Sequence, residues 1–369
     1  MSTFRNPINQ SEVDFEASNC AELVGRSLGA YLKTVELVSD AYLAQVLVAL
    51  WDSGLYEHIR VNGCVSIDQT AEDLNLEPQV LRSLVEYLVG RGILAPDGDS
   101  FVLSKKGQPY WNYITRGVLT SHLAGYNQLL TNLGPLLRKE ISINDPRLDR
   151  SGRLVASGSG YALLGSGTIP WILKLIKQIG GTCVMDVGCG AGDFLIQLAL
   201  RWEGGEGVGI DMNFEAIAEA EANAERCGVS NRLTFHHAKL SAEPMPIERE
   251  ILEKIDTLTA MYLLHEFAGR GGPAAITAAI SQLRQQFPGR KLLMLEGERA
   301  DPVAFCAASP RTFAQLDYSF IHPLSRQGAL RTPVEWAQII KSAGATLLER
   351  IPGFGQVPGW ISLYIIALQ

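Results

Sequence analysis

The sequence predicts an α/β fold: an open, doubly wound, mostly parallel sheet behind a helical N-terminal domain. Three observations predict it. From Gly181 onward, short apolar runs alternate with segments of helical period. Within that region the run Cys183-Val184-Met185-Asp186 leads into glycines at 188, 190 and 192, and helical FLIQLALRW follows. Residues 66–103 read instead as helix, turn, helix and hairpin. The boundaries expected from these patterns are 1–110 for a winged-helix domain, 111–165 for a helical linker or lid, and 166–369 for a Rossmann-like domain.

The totals permit this layout. The chain has 369 residues, enough for two ordinary domains, and 47% of them are apolar, as in a globular protein. A net charge of −7 argues against general binding to nucleic acid or to an anionic membrane. The N-terminus, MSTFRNPINQSEVDFEASN, has no signal-like core, and no apolar run approaches the ~20 residues that span a bilayer. Cysteines 20, 64, 183, 189, 227 and 306 form no CxxC pair, which points to reduced thiols and a cytoplasmic setting.

Residues 1–20 read as a loose arm. Apolar residues then recur at helical spacing from about Leu32 to Tyr56, more of them than one core stripe needs, so part of this helix is expected to meet a second subunit. Next, Leu74-Asn75-Leu76 turns the chain and Glu77-Pro78 starts a helix with Val80, Leu81, Leu84, Val85 and Leu88 on one face. Asp97-Gly98 makes a hairpin. The second helix of this winged-helix pattern offers only Arg82 and Arg91, so it reads as a dimerisation or lid element, not a DNA reader. The Gly/Ser-rich stretch 157–167 is either a linker or a cover whose Tyr161 or Ser159 reaches a ligand.

Strands are expected at CVMDV, GVGID, RLTFHHA, IDTLTAMYL, KLLMLEG, TLLERI and SLYIIAL. Ligands of such sheets bind beyond the carboxyl ends of the strands. The turn carrying Gly188, Gly190 and Gly192 is the first candidate: glycines let the backbone bend and let a ligand approach the main-chain N–H groups. Asp211 lies 19 residues after Gly192, where an acid can hold ribose hydroxyls. Asp186, at the mouth of the turn, would repel a pyrophosphate and favour a cationic cofactor. DVGCGAGDF followed by GVGIDMN resembles motifs I and II of class I S-adenosylmethionine (SAM) methyltransferases. That resemblance implies a SAM site at Asp186, Gly188, Gly190, Gly192 and Asp211; by position, Met212 after Asp211 is expected to pack on the adenine, and Tyr161 to reach the cofactor if 157–167 is a cover. Lys239 stands where many such enzymes have an adenine-contacting acid, so Ala238 or Leu240 is expected to substitute.

A second constellation consists of His265, Glu296 and His322. Two readings stay open. His265 is a general base oriented by Glu296, as in small-molecule O-methyltransferases. Alternatively the three form a two-His, one-carboxylate metal site for zinc, iron or manganese. LLHEF, MLEGER and FIHPLS resemble segments of metal-dependent α-keto acid C-methyltransferases, which methylate the β carbon of phenylpyruvate, 2-ketoarginine or branched-chain keto acids on the way to β-methyl amino acids of natural products. The resemblance implies metal ligation by His265, Glu296 and His322, a small α-keto acid substrate and a homodimer.

Several other residues carry weaker expectations. Glu266 and Glu298 are expected beside the metal site, while Arg299 or Arg326 could pair with a substrate carboxylate. His58, His122, His236 and His237 read as structural, and Phe305, Phe313, Tyr318 and Phe320 as an apolar substrate lining.

Overall fold

The computed structural model describes residues 20–240, 245, 247–299, 310–353 and 361–369. The expected N-terminal arm, Phe305 and Cys306 lie outside the described residues, as does the side chain of Phe313. The chain divides into two compact units, Met1–Leu103 and Ser104–Gln369.

In the first unit, α1 (Cys20–Asp52) and α2 (Leu55–Asn62) replace the single helix expected up to Tyr56. Gly54 adopts φ 78, a left-handed conformation that ends one helix and starts the other. A short strand β1 (Cys64–Val65) and helices α3 (Ile67–Asp73) and α4 (Pro78–Gly90) follow. Pro78 occupies the first helical position, and the Glu77 carboxylate caps α4 by accepting from Val80 N at 2.6 Å. Leu81, Val85 and Leu88 form the buried face of α4, whereas Val80 is exposed. Strands β2 (Leu94–Asp97) and β3 (Ser100–Leu103) form the expected hairpin and join β1 in the order β1-β3-β2. One expectation needs correcting. Leu28–Asp52 is long and apolar enough, by length and composition, to cross a membrane. Its charges are spaced, so apolar character accumulates without an unbroken run.

The second unit opens with short helices: α5 (Tyr113–Val118), running into a π-helical turn at Leu119–Ala124, then α6 (Asn127–Thr131), α7 (Leu133–Leu137), α8 (Gly152–Gly165) and α9 (Thr168–Gln178). Helix α8 contains most of the Gly/Ser-rich stretch, which is therefore neither linker nor loop. Its glycines permit close helix crossing. A side chain at Gly117 would overlap the backbone of Gly158 and Ala162, and one at Gly158 would overlap that of Gly117 and Ser121.

The sheet comprises β4 (Cys183–Val187), β5 (Glu206–Asp211), β6 (Leu233–His237), β7 (Thr257–Met261), β8 (Lys291–Gly297), β9 (Thr346–Pro352) and β10 (Ile361–Ala367). Helices α10 (Asp193–Arg201), α11 (Phe214–Arg226), α12 (Arg249–Lys254), α13 (Ala268–Gln286), α14 (Pro310–Leu324) and α15 (Pro333–Ser342) connect the strands. Strand order is β6-β5-β4-β7-β8-β10-β9, with β10 antiparallel to both β8 and β9. Strand β4 is buried throughout, as a strand covered on both faces must be. Ile169, Ile172, Ile176, Phe194 and Leu198 cover one face. Ile276, Ile280, Leu283, Trp336 and Ile340 cover the other. Each large apolar side chain so buried contributes about 1.5–3 kcal/mol. These two layers fix the strand ends from which the site is built.

Candidate active site

The turn after β4 is shaped by backbone conformations that L side chains rarely adopt: φ is 75 at Gly188, 53 at Gly190 and 81 at Gly192. Asp211, at the end of β5, closes the turn. Its Oδ2 accepts from Gly190 N at 3.0 Å and its Oδ1 from Asn213 N at 2.8 Å. These bonds hold the carboxylate still and leave lone pairs for ligand hydroxyls. Asp186 accepts from Thr259 Oγ1 at 2.6 Å, and burial raises its pKa to about 7.

A cavity of about 550 Å³ opens over this turn. Its walls include Ser159 and Gly160 of α8, Gly188, Gly190, Asp193, Asp211, Met212, Tyr262 and Arg150. A second cavity, of about 380 Å³, is bounded by Met212, Ala238, Lys239, Leu240 and Phe267. Lys239 and its two neighbours therefore border a cavity just after β6. Tyr161 lines neither cavity. Its ring is stacked on Tyr113 at 5.8 Å between centroids, with the Arg116 guanidinium 3.8 Å from its own centroid. One position earlier on α8 the helix faces the cavity; at Tyr161 it has rotated away.

His265 lies in the 3-10 turn Leu264–Phe267 that follows β7. Tyr262, at φ 52, bends the chain into that turn. Glu296, fully buried near the end of β8, stands behind the turn. Its Oε1 accepts from the backbone N–H of Leu264 at 2.7 Å and of His265 at 3.2 Å. Its Oε2 lies 2.7 Å from His265 Nδ1. A carboxylate can only accept there, so Nδ1 carries the proton. His322, on α14, meets His265 from above the sheet, with 3.2 Å between the two Nε2 atoms. Its own Nδ1 lies 2.8 Å from the Tyr318 carbonyl and must donate to it. Both Nε2 atoms thus present lone pairs to each other unless a proton or cation intervenes.

The electrostatics of the two rings diverge. Burial pulls both imidazoles toward the neutral form, but the Glu296 carboxylate outweighs it at His265, whose pKa is raised. At His322 burial and the neighbouring His265 act together, and its pKa falls well below the ordinary value.

The expected three-way convergence is corrected in one respect. The two imidazoles meet, but Glu296 spends both oxygens on His265 and its turn and sits on the far side of that ring. Among the described residues, no group of three or more His, Cys, Asp or Glu is arranged to hold a metal ion. The strand-end position of Glu296 was legible; the direction of its carboxylate was not.

The other candidates separate clearly. Arg299 pairs with Glu335, and Arg326 with Asp149. The cation in the cavity wall is Arg150, which sequence reasoning missed. Its NH2 lies 2.6 Å from Glu266 Oε2, while Glu266 Oε1 accepts from Gln327 Nε2 at 3.1 Å. Tyr126 OH in turn donates to Gln327 Oε1 at 2.7 Å. Glu298 is held by Arg350 and Tyr364 between β8, β9 and β10. Tyr318 stacks on His322 at 4.6 Å, and His122 meets Tyr318 edge-on at 4.4 Å. His237 borders the larger cavity, its Nε2 3.0 Å from the Met212 carbonyl, whereas His236 Nε2 is buried without a hydrogen-bond partner among the described residues. Phe320 is half exposed.

Comparison with known proteins agrees with this geometry. Residues 180–285 match a family profile described as Methyltransferase domain. A 2-ketoarginine methyltransferase of Streptomyces arginensis is 24% identical over 321 residues, covering 86% of this chain and 90% of that protein. Human N-acetylserotonin methyltransferase, solved with SAM, superposes with a TM-score of 0.63 at 16% identity, covering 92% of this chain and 97% of that one. Mitomycin 7-O-methyltransferase superposes with a TM-score of 0.59 at 15% identity, covering 93% and 99%. At such identities these two likenesses establish the fold. Sheet order, glycine turn, the acid that ends β5 and the matched domain converge: the chain carries a class I methyltransferase domain and is a SAM-dependent methyltransferase.

Proposed function

We propose that the enzyme transfers the SAM methyl group to the β carbon of a small α-keto acid, in the making of a β-methyl amino acid for a natural product. The observation that carries this reading is the meeting of His265 and His322, Nε2 to Nε2 at 3.2 Å, with both Nδ1 atoms already committed. Facing Nε2 atoms whose Nδ1 partners are already fixed suit a shared cation, whether a proton or a metal ion. The donor set fits zinc, iron or manganese held by two nitrogens, with Glu296 orienting one ring rather than binding the ion. When bound, such a metal would act as a Lewis acid toward the keto oxygen and make the β C–H easier to ionise.

The remaining roles fall to the protein. Glu296 fixes the His265 tautomer, and the Tyr318 carbonyl fixes that of His322. Arg150 offers a cation to the substrate carboxylate in the cavity that takes the cofactor, and Glu266 holds its guanidinium in place. Holding donor and acceptor side by side in that cavity would favour in-line transfer. The 2-ketoarginine methyltransferase similarity supports the substrate class. The enzyme would act as a cytoplasmic homodimer.

A second reading has an observation of its own. The 2.7 Å contact between His265 Nδ1 and Glu296 also suits a general base acting on a phenol, without metal.

Metal analysis of the purified protein, combined with methyl transfer assays before and after chelation, separates the two. We expect stoichiometric metal, and chelation that abolishes turnover of α-keto acids. His322→Ala should release the metal and lower that turnover roughly 100-fold or more, with S-adenosylhomocysteine (SAH) binding retained. Methylation of phenols that survives chelation would replace this reading with the second.

A further inference from the structure

We propose that Asp193 binds the α-ammonium of the cofactor's methionine arm, so that a side chain, and not the glycine turn alone, reads the amino-acid end of SAM. Asp186, Asp193, Asp211 and Glu266 are the carboxylates among the described residues that line the larger cavity. Three of them have partners. Asp186 accepts from Thr259, Asp211 from two backbone N–H groups, and Glu266 from Arg150 and Gln327. Asp193 differs: among the described residues none donates a hydrogen bond to it, and none forms an ion pair with it. Arg116 acts on it only through space, against an opposing Glu219. Burial raises the carboxyl's pKa to about 6, the signature of a charge short of compensation. A cation brought by the ligand supplies what the wall lacks.

Position supports the same conclusion. Asp193 is the first residue of α10, where an acid also stabilises the helix dipole. That role does not require the carboxylate to line the cavity, and packing places it there. Gly160 of α8 lies so close that any side chain at 160 would overlap Asp193 Oδ2, and Gly160 lines the same cavity. A nucleoside held at Asp211 leaves its amino-acid arm to lie along the Gly188–Gly192 turn, which ends at Asp193.

The test compares two ligands on the full-length protein by calorimetric titration. SAH carries the ammonium; 5′-methylthioadenosine has the same nucleoside and sulfur without it. Asp193→Asn should weaken SAH roughly tenfold or more and leave methylthioadenosine within about twofold of wild type. Should that variant fail to fold, Asp193→Ser carries the same comparison. Unchanged SAH affinity, or equal weakening of both ligands, would overturn the assignment, the second outcome marking Asp193 as scaffold. Neither keto acid nor metal enters the measurement, so its result is independent of the acceptor chemistry.

Discussion

At His122 one imidazole couples packing to pH. The ring rises from the π-helical turn and meets Tyr318 edge-on, and burial lowers its pKa to about 4. An unfolded histidine titrates near 6.5, so the fold favours the neutral ring. The stability this contributes is whole above about pH 6.5 and is lost as the pH falls toward 4. By linkage the span is worth at most about 3 kcal/mol. The melting temperature of the wild type should therefore fall between pH 7 and pH 5, and that of His122→Phe should fall less. Parallel declines would place the acid sensitivity elsewhere. His122 reads from sequence as structural, and packing agrees, but nothing in LTSHLA announces its neighbour, which lies on α14 far along the chain. The same limit explains Arg150. Arg299 and Arg326 were the arginines nearest in sequence to the proposed site, yet Glu335 and Asp149 hold them. Strand-end positions can be read from a sequence, whereas side-chain directions depend on elements hundreds of residues apart.

Among the elements, the crossing of α8 with α5 and its π-helical turn does most to shape the cavity. Gly117 and Gly158 bring the backbones together, and Ser121 Oγ donates back along its own helical segment to the Gly117 carbonyl at 2.8 Å. The crossing sets where Val155, Ser159 and Gly160 stand in the cavity wall. Gly158→Ala should cost about 1–3 kcal/mol, as overpacking does, and should weaken SAH binding through the displaced wall. Gly90→Ala, at the end of α4 with open space around it and in neither cavity wall, is the control and should leave both unchanged. Urea denaturation followed by SAH titration reads both effects. Equal behaviour of the two variants would remove close packing as the reason for glycine at 158. The sequence left this stretch open between linker and cover because glycine serves a flexible chain and a tight helix crossing equally well. By contrast, the glycines of the 188–192 turn were legible, since an apolar strand precedes them and a helical pattern follows.

Across the whole molecule, hydrophobic patterning carried most of the architecture. The seven strands lie where apolar runs placed them, and the order β6-β5-β4-β7-β8-β10-β9 puts Asp211 and His265 at the ends of strands flanking β4. Assembly is the level at which the chain leaves most to its surface. Leu28, Tyr31, Leu32, Val35, Val38 and Tyr42 of α1 are all exposed. At about 100° per residue they share one arc of the helix, and Lys33 and Asp40 fall on the far side, which also carries the exposed Leu37. An exposed apolar stripe suits a protein surface laid along it, and a second copy of this helix offers the same stripe. Replacing Tyr31, Leu32 and Val35 together with glutamate should therefore convert a dimer to a monomer in light scattering while SAH binding persists. A wild type that already scatters as a monomer at micromolar concentration would assign the stripe to another partner. Loss of SAH binding together with loss of the dimer would instead mean that the catalytic unit depends on assembly.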